Sequence, residues 1–170
     1  MQRLFCSALF CTLLLEPSWS VDRSASHPVE QADRIIVIKS ERTMTLMHQA
    51  KVLKTYKVAL GHEPRGKKQR QGDNRTPKGE YIIDQRNPHS QFHLALHISY
   101  PNQADRERAR KLGWDPGGAI MIHGIPAGYA WLGAAHRQFD WTLGCIAVTN
   151  AEIEEIWELV PLGTAVEIKP

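Results

Sequence analysis

The chain has 170 residues, 42% of them hydrophobic and 23% charged, and a formal net charge of +3. That length suits one domain with one core, and the composition excludes a collagen, a disordered polyelectrolyte or a bundle of membrane spans. The mild basic excess fits contact with an acidic polymer or surface, but it lacks the dense stripe of Lys and Arg that nucleic-acid binding needs, so no nucleic-acid partner is expected.

Residues 1–20 differ from the rest: Arg3 is followed by an almost wholly apolar run from Leu4 to Leu15 and then by Glu16-Pro17-Ser18-Trp19-Ser20. The run is shorter than the roughly 20 residues needed to cross about 30 Å of hydrocarbon, and Ser18 and Ser20 suit a cleavage site. A secretory signal peptide cleaved after Ser20 is therefore expected, which implies an exported protein of the periplasm or cell envelope with no stable membrane span. An uncleaved N-terminal anchor is the alternative. Cleavage would remove Cys6 and Cys11 and leave Cys145 alone. Thiols in an oxidising compartment are normally paired, so a single Cys145 is either a buried inert hydrophobe or a reactive group.

Residues 21–32 lack periodicity and read as a flexible lead-in, so the folded domain is placed at 33–170. Arg34 to Lys39, Thr43 to His48 and Val52 to Leu60 read as three strands of a meander, with turns near Ser40-Glu41 and Gln49-Ala50. Gly61 to Lys78 is a long, basic, glycine-rich loop, of the kind that borders a functional site. Strand character resumes at Tyr81 to Asp84 and again over 92–100, and Asp105 to Leu112 reads as a short helix. Ala119 to Ile122 forms a buried strand that delivers His123-Gly124. After Asp140-Trp141-Thr142-Leu143-Gly144-Cys145-Ile146, Thr149 and Glu152 make a capping box. Ile153, Ile156, Trp157 and Val160 then form one apolar helix face that Pro161 ends, and Ala165 to Ile168 is a closing strand. The expected class is mainly β, a sandwich-like curved sheet with one or two short helices.

Chemistry concentrates at two places. Gly144-Cys145 sits on a turn, where the amides of both residues can point at one carbonyl oxygen and so stabilise a tetrahedral intermediate. His123, at a strand end, is positioned to act as a base that draws the thiol toward thiolate. Residue types alone leave a buried cysteine beside a core histidine as an equal reading. A metal site made from His89, His93, His97 and His136 is disfavoured. His93 and His97 share a strand face but sit about 13 Å apart on an extended chain, so no metal ligand is assigned.

Ile122-His123-Gly124 followed by Thr142-Leu143-Gly144-Cys145-Ile146, with Gly72-Asp73-Asn74-Arg75-Thr76-Pro77-Lys78-Gly79 ahead of them, resembles the signature of the L,D-transpeptidase catalytic-domain (YkuD) family over roughly Arg34 to Ile168. The resemblance implies an exported cysteine acyltransferase acting on peptidoglycan stem peptides through a Cys145 thioester, as an L,D-transpeptidase or a related carboxypeptidase or amidase. It assigns the thiol proton to His123, the orientation of that imidazole to the Gly124 carbonyl, and no cofactor. It also implies covalent capture of Cys145 by a carbapenem. Tyr100, Arg75, Thr142 and Trp141 are the candidate substrate-groove residues, Trp141 being equally suited to packing. The chain departs from the family pattern at Leu143, where histidine is usual, and at Ala147, where arginine or asparagine is usual. A non-catalytic peptidoglycan-binding module of the same fold is the competing reading.

Overall fold

The computed structural model describes residues 30–170. The expected signal peptide lies outside them, as does most of the expected lead-in. Among the described residues, eight strands form one curled mixed sheet in the order β3-β2-β1-β8-β4-β5-β6-β7. They are β1 (Arg34–Ile38), β2 (Thr43–His48), β3 (Lys51–Lys57), β4 (Gly79–Ser90), β5 (His93–Ile98), β6 (Met121–His123), β7 (Ile146–Ala147) and β8 (Ala165–Lys169). The helices are α1 (Gln103–Lys111) and α2 (Asn150–Leu159), with a 3-10 segment, Ala127–Gln138, between them in sequence. The fold is mainly β, as the alternation of apolar residues predicts.

Period-two patterning decides which side chains enter the core. Ile35 and Val37 of β1, Met44 and Leu46 of β2, and Val166 and Ile168 of β8 point inward and are almost fully buried. β1 pairs antiparallel with β2 and parallel with β8, while β4 pairs antiparallel with β8 through its first residues and with β5 through its later ones. Helix α2 lies against β5 and β6 and contributes Ile153 and Ile156, both wholly buried. Burial of two such side chains contributes about 1.5–3 kcal/mol each. The Thr149 hydroxyl accepts the Glu152 amide at 3.3 Å and the Glu152 carboxylate accepts the Thr149 amide at 2.9 Å, so the predicted capping box opens α2.

Several boundaries differ from the sequence reading, each for a tertiary reason. The third strand ends at Lys57 instead of Leu60, because the chain then turns to exchange hydrogen bonds between Ala59 and Ala147, at 3.0 and 2.9 Å. This contact brings the continuation of one edge strand onto the other edge, β7, and curls the sheet. Strand β4 runs for twelve residues, far beyond Asp84. Its polar second half has no alternating pattern to announce it and is held by pairing with β5. Helix α1 begins at Gln103 because Asn102, not a later residue, caps it, with Asp105 completing a capping box. The 3-10 segment was not anticipated: its alanines and glycines carry no period, and Gly133 at φ 48° breaks it in two.

Candidate active site

β6 and β7 run parallel, with Ile122 opposite Ile146 and His123 opposite Ala147. Ile122 and Ile146 are fully buried in the core. His123 follows Ile122 at the end of β6 and Cys145 precedes Ile146 at the start of β7, so both side chains turn to the other face, and both line one cleft of about 620 Å³. The pairing thus brings His123, the last residue of β6, and Cys145, the residue just before β7, to one cleft.

The segment before Cys145 is strapped down from several directions. The Leu60 carbonyl accepts the Thr142 amide at 3.1 Å, the Thr142 carbonyl accepts the His62 amide at 3.0 Å, and the Asp140 carboxylate accepts the Leu60 amide at 2.9 Å while pairing with Arg42 at 2.8 Å. The Thr142 hydroxyl donates to the Cys145 carbonyl at 2.8 Å and accepts the Gly144 amide at 3.1 Å. The Gly144 amide is therefore directed at Thr142, whereas the sequence reading aimed it together with the Cys145 amide at a substrate oxygen.

Gly144 has φ +134°, and a Cβ there would lie 2.8 Å from the Arg75 carbonyl oxygen and 3.1 Å from Ile120 Cδ1. Both the backbone conformation and the close approach require glycine. Gly144→Ala is expected to destabilise the fold by about 1–3 kcal/mol and to displace the neighbouring thiol. Thermal denaturation and the alkylation rate of Cys145 check this; an unchanged melting temperature and an unchanged rate would refute it.

His123 is 3% exposed and packs against Phe92, with ring centroids 4.4 Å apart, and against Trp141, at 5.7 Å. Its Nδ1 lies 2.7 Å from the Gly124 carbonyl oxygen. A carbonyl only accepts, so Nδ1 carries the proton and Nε2 presents a bare lone pair in the neutral ring. Burial lowers the His123 pKa to about 4, with the Gly124 hydrogen bond pulling weakly the other way. Among the described residues Cys145 has no disulfide partner, and its Sγ donates to the Ala119 carbonyl at 3.5 Å. Burial pushes its thiol up, against smaller downward pulls from a Met121 backbone N–H and the Lys68 charge. The resting pair is a neutral thiol beside a neutral imidazole.

Residues 32–168 match the YkuD family, described as the L,D-transpeptidase catalytic domain. The chain belongs to this family. YafK of Escherichia coli (strain K12), provisionally named an L,D-transpeptidase, is 33% identical over 132 residues, which cover 74% of this chain and 46% of YafK. The chain thus spans about half the length of the curated relatives it matches. Among solved structures, the helical cell shape determining protein Pgp2 of Campylobacter jejuni matches with a TM-score of 0.62 at 23% identity, over 84% of this chain and 49% of Pgp2. An L,D-transpeptidase from Xylanimonas cellulosilytica matches with a TM-score of 0.53 at 15% identity, over 84% of this chain and 62% of that one. These structural likenesses show that the chain has the L,D-transpeptidase fold.

Within this L,D-transpeptidase domain the other candidate residues separate. Thr142 and Trp141 line the cleft with Cys145 and His123, Thr142 spending its hydroxyl on the Gly144-Cys145 turn. Trp141 donates its Nε1–H to His136 Nδ1 at 3.2 Å, so it both packs and forms a wall. Tyr100 is not among the cleft-lining residues: it is 3% exposed in the core, with its hydroxyl donated to the Pro116 carbonyl at 2.9 Å. Arg75 supports the cleft from behind through its carbonyl against Gly144, and its guanidinium lies beside Gly66. His93 and His97 pair separately with Glu154 and Asp84, at 2.6 and 2.5 Å. Of the two departures, Leu143 is 73% exposed at the cleft, and Ala147 is wholly buried against Ala59.

The long basic loop supplies Lys68, Gln71, Gly72 and Asn74 to the same cleft. It is anchored by buried Lys39, which donates to the Gly66 and Thr76 carbonyls at 2.6 and 2.8 Å. The loop was expected to border the site, but Lys68 within it was not singled out, and Phe92 and the stretch 117–120 were not named as lining residues. Lys68 was one of many cations in a polar loop, and Phe92 an apolar residue before a strand, so neither stood out.

Proposed function

We propose that this L,D-transpeptidase-family domain is an exported cysteine acyltransferase that cleaves a peptidoglycan stem peptide after an L-residue through a thioester on Cys145. The observation that carries this reading is the 2.7 Å contact of His123 Nδ1 with the Gly124 carbonyl oxygen: a carbonyl only accepts, so His123 offers Nε2 as a proton acceptor in the cleft that holds the thiol.

The steps follow from those groups. As the substrate carbonyl approaches, the Cys145 thiol proton passes to His123 Nε2 and Sγ bonds to the carbonyl carbon, placing negative charge on the carbonyl oxygen. The Gly124 carbonyl stabilises the imidazolium by continuing to accept from Nδ1. The Cys145 amide is the backbone donor proposed for the oxyanion, since Thr142 engages that of Gly144. Collapse of the intermediate breaks the C–N bond, and the leaving amine takes the proton from Nε2. An amine or water then attacks the thioester, His123 accepts its proton, and the thiol is regenerated as that proton returns to sulfur.

Incubation with purified wall fragments, followed by mass spectrometry of products and protein, tests the reading. An acyl adduct on Cys145 with a shortened or cross-linked stem peptide is the expected result, and unchanged fragments would sink it. N-terminal sequencing of the chain from the cell envelope tests export: a start at Val21 supports it and a start at Met1 contradicts it.

The buried histidines also set a pH dependence. Burial lowers the pKa of His123 and of His136 to about 4. The free imidazole value is about 6.5, so between pH 4 and 6.5 the unfolded chain binds more protons than the folded one. The stability these neutral rings contribute is complete above pH 6.5 and is lost as pH falls through about 4. His123 likewise stays an available base down to that value. The acid limb of kcat/KM is expected to bend near pH 4, with tryptophan fluorescence reporting the folded fraction. A bend at about 6.5 in fully folded protein would contradict the burial argument.

A further inference from the structure

Among the described residues Lys68 is the one formally charged side chain lining the cleft, because His123 is neutral near pH 7. It is 3% exposed, which is exceptional for a lysine and demands partners. Its Nζ donates to Asp73 Oδ1 at 2.7 Å and to the Arg70 carbonyl at 3.2 Å. An ammonium has three protons, so one remains beyond those two bonds.

The Asp73 carboxylate is held by backbone donors as well as by Lys68. Its Oδ2 accepts the Gln69 and Arg70 amides at 2.7 and 3.2 Å, and its Oδ1 also accepts the Arg75 amide at 3.2 Å. Three backbone donors hold the anion and fold the loop around it. Lys68 is thus half of a buried ion pair, but it is the ammonium and not the carboxylate that lines the cleft, whose remaining lining, among the described residues, is uncharged. An anionic group of the substrate is what such a wall recognises.

We propose that Lys68 is a specificity-determining residue that receives a carboxylate flanking the scissile bond of the substrate. This rests on the peptidoglycan acyl-transfer reading above. The loop fixes the ammonium at the cleft wall, so its position is set before substrate arrives. The recognised group is a compact carboxylate, because among the described residues the cleft lining offers a single ammonium and no second cation.

The test separates the cleft charge from the reaction. Cys145 in the full chain is alkylated with iodoacetate and with iodoacetamide, both of which form an S–C bond and release iodide, and the Cys145 peptide is quantified by mass spectrometry. The rate ratio of the anionic to the neutral reagent is expected to be about fivefold above that of N-acetylcysteine, a Coulombic preference that falls with added salt. Lys68→Met should return the ratio to the free-thiol value, and Lys68→Arg should keep it. A free-thiol ratio in the unaltered protein overturns the proposal, and this measurement stands even if Lys68→Met does not fold.

Two stem peptides, differing only in whether the carboxylate flanking the scissile bond is free or amidated, complete the test. The free form should be preferred about tenfold in kcat/KM, with Lys68→Met losing that preference through KM. Turnover of both peptides at equal kcat/KM overturns the assignment of Lys68. A raised, Lys68-dependent alkylation ratio with no turnover of either peptide supports the cationic wall and strikes the proposed function instead.

Discussion

Cys145→Ala is expected to abolish turnover of wall fragments and to leave the melting temperature within a few degrees of the unaltered protein. The core at this point of the sheet is filled by the neighbouring Ile122 and Ile146, while the Cys145 side chain faces the cleft with only polar backbone contacts, to the Ala119 carbonyl at 3.5 Å and to the Met121 N–H. Removing sulfur therefore deletes the group that would carry the acyl chain without opening a hole in the core. Mass spectrometry gives the matching readout. A carbapenem, which presents a strained carbonyl to the thiol, should add covalently to the unaltered protein at Cys145 and leave the alanine variant unmodified. EDTA should not change the activity. Residual turnover in Cys145→Ala would place the chemistry elsewhere, and an equal loss of thermal stability would mean that the cysteine serves the fold.

Much of the fold was legible because it is local. The alternation through Arg34 to Ile38 and the Thr149–Glu152 capping box each depend on residues a few positions apart, and both are found where the sequence places them. The second half of β4 was not legible. Its side chains are polar and mostly exposed, and only the backbone pairing with β5 makes it a strand. The 3-10 segment escaped for the same reason: its conformation follows no repeating pattern of side chains, although it carries exposed Tyr129 and Trp131.

The candidate site divides along a similar line. His123 and Cys145 were identifiable from residue type, flanking glycines and motif order, and the register of β6 and β7 brings them to one face. The groove residues needed a third dimension. Tyr100 looked available until its hydroxyl was seen to be used by Pro116, and Arg75 acts from behind Gly144 through its backbone. Lys68 became distinguishable from its neighbouring cations only through its burial.

His123→Gln should lower kcat/KM by about 100- to 10,000-fold, the range in which general acid–base help lies. Glutamine is the informative replacement because His123 is packed between Phe92 and Trp141, and alanine would leave a cavity and confuse lost chemistry with lost packing. A glutamine side chain fills much of the space and can still donate toward the Gly124 carbonyl, but it accepts no proton at neutral pH. Because burial pushes the Cys145 thiol up, the variant must reach thiolate without a neighbouring acceptor. Its rate should therefore climb with pH across the neutral and alkaline range, and the acid limb near pH 4 assigned to His123 should vanish. That change of profile is what a purely structural histidine would not produce. If His123→Gln instead kept the unaltered profile and lost activity only in proportion to folded protein, the imidazole would be a packing residue and the proton acceptor would have to be sought elsewhere in the cleft.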